Sequence, residues 1–121
     1  MVCLKRVAPI FPVHDLAVAM DHYQRLGFAT RTYKRGDYGF ATLDGCEIHL
    51  GVVDNARGFT PSSAYLFVED ADELAHAWAA TGADVRTPQD TEWGQHEGVV
   101  IDPDGNIIRF GSPTRGHDLN R

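Results

Sequence analysis

The chain has 121 residues, 43% hydrophobic and 23% charged, the balance of one globular domain with its own core rather than of a disordered segment. Its formal net charge of −6 offers no basic footprint for a phosphate backbone, which excludes nucleic acid as a direct partner. Only Cys3 and Cys46 are present, far apart, so a disulfide framework and a thiolate zinc site are excluded; the opening MVCLKRVAPIFPV and the absence of any long apolar run point to a cytoplasmic protein with no signal peptide and no membrane partner.

In chain order, Leu4 to Val13 reads as a strand and Asp15 as a helix N-cap. Leu16, Ala19, Met20, Tyr23 and Leu26 then fall at helical spacing until Gly27 supplies a stop. Short strands follow over Phe28 to Lys34, Tyr38 to Leu43 and Cys46 to Val53, with turns at Gly36-Asp37 and Asp44-Gly45. Asp54 to Ser62 (DNARGFTPS) is polar, holds Gly and Pro, and reads as a linker. The same order then returns. Ala64 to Val68 is a strand, Asp70 a cap, and Leu74, Ala77, Trp78 and Thr81 mark a helix that Gly82 ends. Strands over Ala83 to Thr87, Gly98 to Ile101 and Ile107 to Gly111 complete the copy, the last two joined by a Pro103-Asp104-Gly105 turn.

The recurrence is a true internal repeat. A shift of 55 residues lays Val13 on Val68, Asp15 on Asp70, Tyr23 on Trp78, Gly27 on Gly82 and Arg31-Thr32 on Arg86-Thr87. After an insertion of five residues, a shift of 60 lays Asp44-Gly45 on Asp104-Gly105, Ile48 on Ile108 and Gly51 on Gly111. The expected fold is α+β: a single domain over 1–121 in which two tandem βαβββ modules form a curved, mostly antiparallel sheet cleft. Module one covers 1–53, the linker 54–62, module two 63–112 and a C-terminal tail 113–121.

Strand alternation assigns the faces. Ile48, Leu50, Ala64, Leu66, Val68, Ile108 and Phe110 turn to the helices, whereas Glu47, His49, Tyr65, Phe67, Ile107 and Arg109 turn away. Tyr38 and Phe40 share one face, and Trp93-Gly94 precedes a strand. An aromatic surface with few polar anchors suits a small-molecule site. Cys46 points opposite to His49 and is read as core filler. His14, His22, His76, His96 and His117 show no HxH or HExxH spacing and are read as scattered surface or half-buried imidazoles. No serine sits in a nucleophile elbow.

The repeat, with the phrases PVHDLAVAMDHYQRLGF and VVIDPDGNIIRFG, resembles the vicinal-oxygen-chelate superfamily, which groups glyoxalase I, extradiol dioxygenases, fosfomycin-resistance enzymes and bleomycin-resistance proteins. The resemblance spans almost the whole chain. In metal-using members four side chains on cleft-facing strands hold one divalent ion, and the matching positions are Ala8, His49, Ser63 and Arg109. Ala8 has no lone pair, Ser63 is a poor ligand, and Arg109 is a permanent cation; His49 alone makes no site. No metal or other cofactor is therefore expected.

The pattern is most similar to the bleomycin-resistance proteins, which bind a drug without transforming it. That resemblance implies ligand contacts at Tyr33, Tyr38, Tyr65, Phe67 and Trp93-Gly94, and a small residue facing the ligand at Gly51. It also implies a homodimer in which Pro9 is the hinge of an exchangeable N-terminal strand. His49 stands where the family carries an apolar residue. With Phe40, Asp37, Glu47, His49 and Arg109 these residues make up the candidate site, and Asp37 and Glu47 favour a flat cationic ligand. The expectation is a non-enzymatic, metal-free protein that sequesters a bleomycin-type antibiotic. The alternative is a metal-dependent glyoxalase, dioxygenase or thiol-transferase-type enzyme whose ligands align elsewhere; a housekeeping relative binding another metabolite is a third.

Overall fold

Two aspartates start the two helices. In the computed structural model, which describes residues 2–33, 36–54 and 58–114, Asp15 is extended and its carboxylate accepts from the Val18 amide at 3.2 Å, opening α1 (Leu16–Arg25). Asp70 accepts from the Glu73 amide at 3.0 Å and opens α2 (Ala71–Ala79). Each carboxylate satisfies an amide that the first helical turn leaves without a partner. Past the other end stand Gly27 and Gly82, at φ of 105° and 89°, a left-handed conformation that a Cβ would disfavour.

Each helix belongs to one four-stranded sheet. In the first unit β1 (Ile10–Val13), β2 (Ala29–Thr32), β3 (Tyr38–Leu43) and β4 (Cys46–Val52) lie in the order β1-β4-β3-β2. In the second, β5 (Ser63–Phe67), β6 (Asp84–Asp90), β7 (Gln95–Ile101) and β8 (Ile107–Pro113) lie in the order β5-β8-β7-β6. The β1–β4 and β5–β8 pairs are parallel and the others antiparallel, so the two βαβββ modules expected from the repeat are present, each as a mixed sheet. The chain divides into compact units Met1–Ser62 and Ser63–Arg121. Among the described residues no helix is long and apolar enough to cross a membrane.

Burial follows the strand alternation. Phe11, Val13, Ala41, Ile48 and Leu50 pack with Leu16, Ala19 and Tyr23 of α1, and Val100, Ile108 and Phe110 pack with Ala71, Ala75 and Trp78 of α2. Phe110 meets Trp78 edge-on at 5.2 Å and lies over Gly98, where a Cβ would come within 2.7 Å of its ring. The phrase DPDGN is a hydrogen-bonded turn: Asp102 accepts from the amides of Asp104 and Asn106, both at 2.9 Å, and from the Asn106 side chain at 3.0 Å. Both Asp102 and Asn106 are buried, so the motif's residues are structural.

Several expectations are corrected. The first strand begins at Ile10, not Leu4, because pairing with β4 starts there and residues 4–9 carry no strand. Cys46 is exposed rather than core: it sits at the hairpin tip next to Asp44-Gly45, whose φ values of 50° and 80° make a tight primed turn. Ala77 faces solvent, the buried stripe of α2 running through Ala71, Ala75 and Trp78. Ala64 and Leu66 are half-buried because β5 is an edge strand. Finally, β6 continues through Pro88 by way of a bulge between Arg86 and Gln89, an edge position where the missing amide is tolerated. Lys34, residues 55–57 of the expected linker and residues 115–121 of the expected tail, including His117, lie outside the described residues.

Candidate functional site

The face of the first sheet turned away from α1 is built in rows. Strand register sets Arg31, Phe40, His49 and Ile10 side by side, and in the next row Tyr38, Gly51 and Pro12. Gly51 has no side chain to fill its place between Tyr38 and Ile10. A cavity of about 330 Å³ results, lined by Ile10, Pro12, Asp37, Tyr38, Gly51, Val52 and Val53. Beside it, Tyr33, Asp37, Tyr38 and Phe40 line a second cavity of about 450 Å³.

Three rings hold each other on this face. Phe40 and His49 meet edge-on at 4.8 Å, Tyr38 and His49 at 5.4 Å, and Tyr38 and Phe40 at 5.5 Å. The Tyr38 hydroxyl is 2.8 Å from His49 Nδ1. His49 Nε2 is buried and faces a Glu47 oxygen at 3.3 Å, outside hydrogen-bond geometry. Burial, then the Arg6 and Arg31 guanidinium groups, hold the imidazole below the usual histidine range, so it is neutral at pH 7. A neutral ring has one N–H; the arrangement fits Tyr38 donating to Nδ1 and the ring proton on Nε2.

Cations also occupy this face. The Arg31 guanidinium lies 4.0 Å from the Phe40 ring centre, and Arg6 pairs with Glu47. Glu47, expected to supply negative charge to a ligand, is therefore already neutralised by Arg6. Arg31 and Arg6 escaped the sequence reading, although Arg31 follows from the β2–β3 register opposite Phe40.

The second sheet's open face differs. Tyr65 stands beside Arg109, and Phe67 beside Gly111, with Glu97 across from Gly111. Tyr65 and Phe67 are 4.9 Å apart, and Phe67 is 80% exposed. Here the glycine hollow is filled: the Tyr65 hydroxyl leaves no room for a Cβ at Gly111. Burial and then the neighbouring Glu97 push that phenol up to about 12, so it remains protonated. Trp93, 65% exposed, stands on the loop between β6 and β7, followed by Gly94 at φ 84°. The fold thus gathers Tyr33, Asp37, Tyr38, Phe40, Glu47, His49 and Gly51 on the first unit, and Tyr65, Phe67 and Arg109 on the second sheet, with Trp93-Gly94 on its loop.

The residues at the metal-ligand positions do not fit a divalent ion. Ala8 and Arg109 offer no lone pair, Ser63 offers only a hydroxyl, and both nitrogens of His49 are already turned to Tyr38 and Glu47. Among the described residues no three His, Cys, Asp or Glu side chains form a metal-holding group.

The family model of the glyoxalase/bleomycin resistance protein/dioxygenase superfamily matches residues 4–110. The chain belongs to this superfamily. No match was found among curated proteins. Among solved structures, the chain is similar to the bleomycin-binding protein of bleomycin-producing Streptomyces verticillus complexed with copper(II)-bleomycin, at 20% identity and a TM-score of 0.78 over 94% of this chain and 100% of that one. It is similar to the bleomycin resistance determinant encoded on transposon Tn5, at 18% identity and a TM-score of 0.76 over 91% and 98% of the two chains. TioX from Micromonospora sp. ML1 gives 22% identity and a TM-score of 0.76 over 91% and 99%. At these identities the likeness is one of fold.

Proposed function

We propose that this superfamily member is a non-enzymatic, metal-free binding protein that sequesters a flat, bleomycin-type antibiotic in the cytoplasm as a homodimer. The observation that carries the reading is the ring cluster of Tyr38, Phe40 and His49 beside the cavity at Gly51: a rigid stacking surface with room next to it. Among the described residues no His, Cys, Asp or Glu group around it could hold a metal. A cationic group of the drug is directed to the Asp37 end of the face, because Arg6 and Arg31 hold the Glu47 and Phe40 end. A bleomycin-binding protein and a bleomycin resistance determinant of the same fold support the choice of ligand class. Tyr65, Phe67 and Arg109 on the second sheet's open face, and Trp93 on its loop, are likewise read as ligand contacts.

The test is calorimetric titration with bleomycin, metal-free and copper-loaded, followed by recovery of the drug. The expected result is saturable binding, one drug per chain, with the drug returned unchanged. Binding weaker than about 1 mM, or recovery of a chemically altered drug, overturns the reading. Elemental analysis of protein purified without chelator is expected to find no stoichiometric divalent metal; an ion held by His49 and two further side chains overturns the metal-free part.

A further inference from the structure

By its spacing His96 is one more surface imidazole, yet both its nitrogens face carboxylates. Nε2 lies 2.8 Å from an oxygen of Asp72 in the first turn of α2, and Nδ1 lies 2.8 Å from an oxygen of Asp90 at the end of β6. A neutral imidazole donates through one nitrogen only and would turn a lone pair toward the other carboxylate; only the imidazolium donates to both. The third element against it, β8, presents the uncharged Ser112, whose hydroxyl accepts from the Ala71 amide at the start of α2.

The place of this cluster gives it a consequence. Asp90 and His96 are the last cross-strand pair before the β6–β7 loop that displays Trp93. The loop is closed on itself: the Thr91 amide donates to the Gln95 carbonyl at 2.9 Å, the Gln95 amide to the Thr91 hydroxyl at 3.2 Å, and the Gly94 amide to the Thr91 carbonyl at 3.4 Å. Gly94 also accepts from the Thr114 amide at 3.0 Å. A loop so stitched moves as one piece with its base.

We propose that His96 is a positioning residue for Trp93: as an imidazolium between Asp72 and Asp90 it ties the base of the β6–β7 loop to α2, and so makes ligand binding pH-dependent. The binding part rests on Trp93 being a ligand contact, as the preceding section reads it. The two carboxylates hold the imidazole above the usual histidine range, with Asp72 the larger influence and burial opposing. The tie is therefore complete in mild acid and is released as pH rises through that raised value.

Nuclear magnetic resonance on the whole chain tests the tie without any ligand. The His96 ring and the Trp93 indole N–H are followed between about pH 5 and 9, the span that brackets a shifted histidine. The expected result is one shared transition above the ordinary histidine value, moved to lower pH in both D72N and D90N and absent from the indole in H96Q. An indole that stays still while His96 titrates overturns the proposal, as does a His96 transition unmoved by either asparagine. In the second arm, bleomycin affinity is expected to fall about two- to fivefold across the transition, the factor a partly exposed ion pair supplies. H96Q is expected to lose that dependence and serves as control for ionisation of the drug itself. If wild type binds no bleomycin at any pH, the function proposed above fails while the indole titration still decides the positioning role; equal pH dependence in wild type and H96Q refutes the link to binding.

Discussion

Trp93 and Trp78 sit at opposite extremes of exposure, 65% and 3%, and they predict opposite mutant behaviour. Trp93→Ala is expected to weaken bleomycin binding by about 1–3 kcal/mol, by analogy with base–aromatic stacking, and to leave the thermal midpoint almost unchanged. Trp78→Ala, which removes the ring packed on Phe110, is expected to cost roughly 3–5 kcal/mol of stability. Melts run beside titrations check both; a Trp93→Ala protein that loses its cooperative melt would make that residue structural. The paired glycines separate in the same way. At Gly51 a Cβ meets Ile10 and Tyr38 at an ordinary 3.5 Å, so Gly51→Ala is expected to keep the fold and narrow the cavity, reducing affinity about tenfold, or 1.4 kcal/mol. At Gly111 a Cβ collides with the Tyr65 hydroxyl, so Gly111→Ala is expected to lower the midpoint and expose that phenol, read as a drop in its spectrophotometric titration from about 12. Tyr65 was legible before the structure because strand period two fixes which side chains share a face, Trp78 because helical spacing marks it, and Gly51 and Trp93 only through the family resemblance. Their charges were not. Arg6 and Arg31 reach Glu47 and Phe40 from other segments, and nothing local to Glu47 announces a partner 41 residues away.

Element by element, the hairpins and helices were readable where a residue must satisfy a backbone demand. Asp15, Asp70, Gly27, Gly82 and the Asp44-Gly45 turn each do so, and each marks its boundary closely. Boundaries set by long-range pairing were not readable: β1 starts where β4 offers a partner, and β6 passes Pro88 only because a bulge on an edge strand spares it a hydrogen bond. The pair of Asp72 and Asp90 around His96 was invisible for the same reason, since α2, β6 and β7 meet there only in three dimensions. The two perturbed histidines give stability a predictable pH course. His49, held below its ordinary 6.5, favours the folded state above that value, and the favour is lost as pH falls through its lowered folded value. His96, held above 6.5, stabilises the fold fully below that value and loses the contribution as pH rises through its raised folded value. The two slopes oppose, so the thermal midpoint is expected to peak near pH 6.5, the ordinary value from which both depart. His96→Gln is expected to flatten the alkaline descent and leave the acid side in place. A wild-type midpoint that keeps climbing from pH 6.5 to about 8 would contradict the His96 contribution.

For the whole molecule, the segment before β1 decides what is expected. Val2, Leu4 and Val7 are 89%, 96% and 91% exposed, and residues 2–9 pair with no strand of their own chain apart from the Pro9 carbonyl accepting from the His49 amide at 2.9 Å. Large aliphatic side chains clustered on one unpaired segment are a common mark of a surface that another chain covers. A strand edge with unpaired backbone groups favours the same outcome, and a two-fold pair that buries both arms at its interface satisfies both demands with one contact made twice. Arg6 sits within this arm and neutralises Glu47, so the arm also shapes the aromatic face. The full chain is accordingly expected to scatter light as a dimer, at twice the 13.4 kDa of one chain. Deleting residues 2–8 is expected to return it to the mass of a single shortened chain, below 13.4 kDa. A full chain that stays at 13.4 kDa at micromolar concentration removes the dimer, and a truncated chain that remains paired removes the arm as its cause.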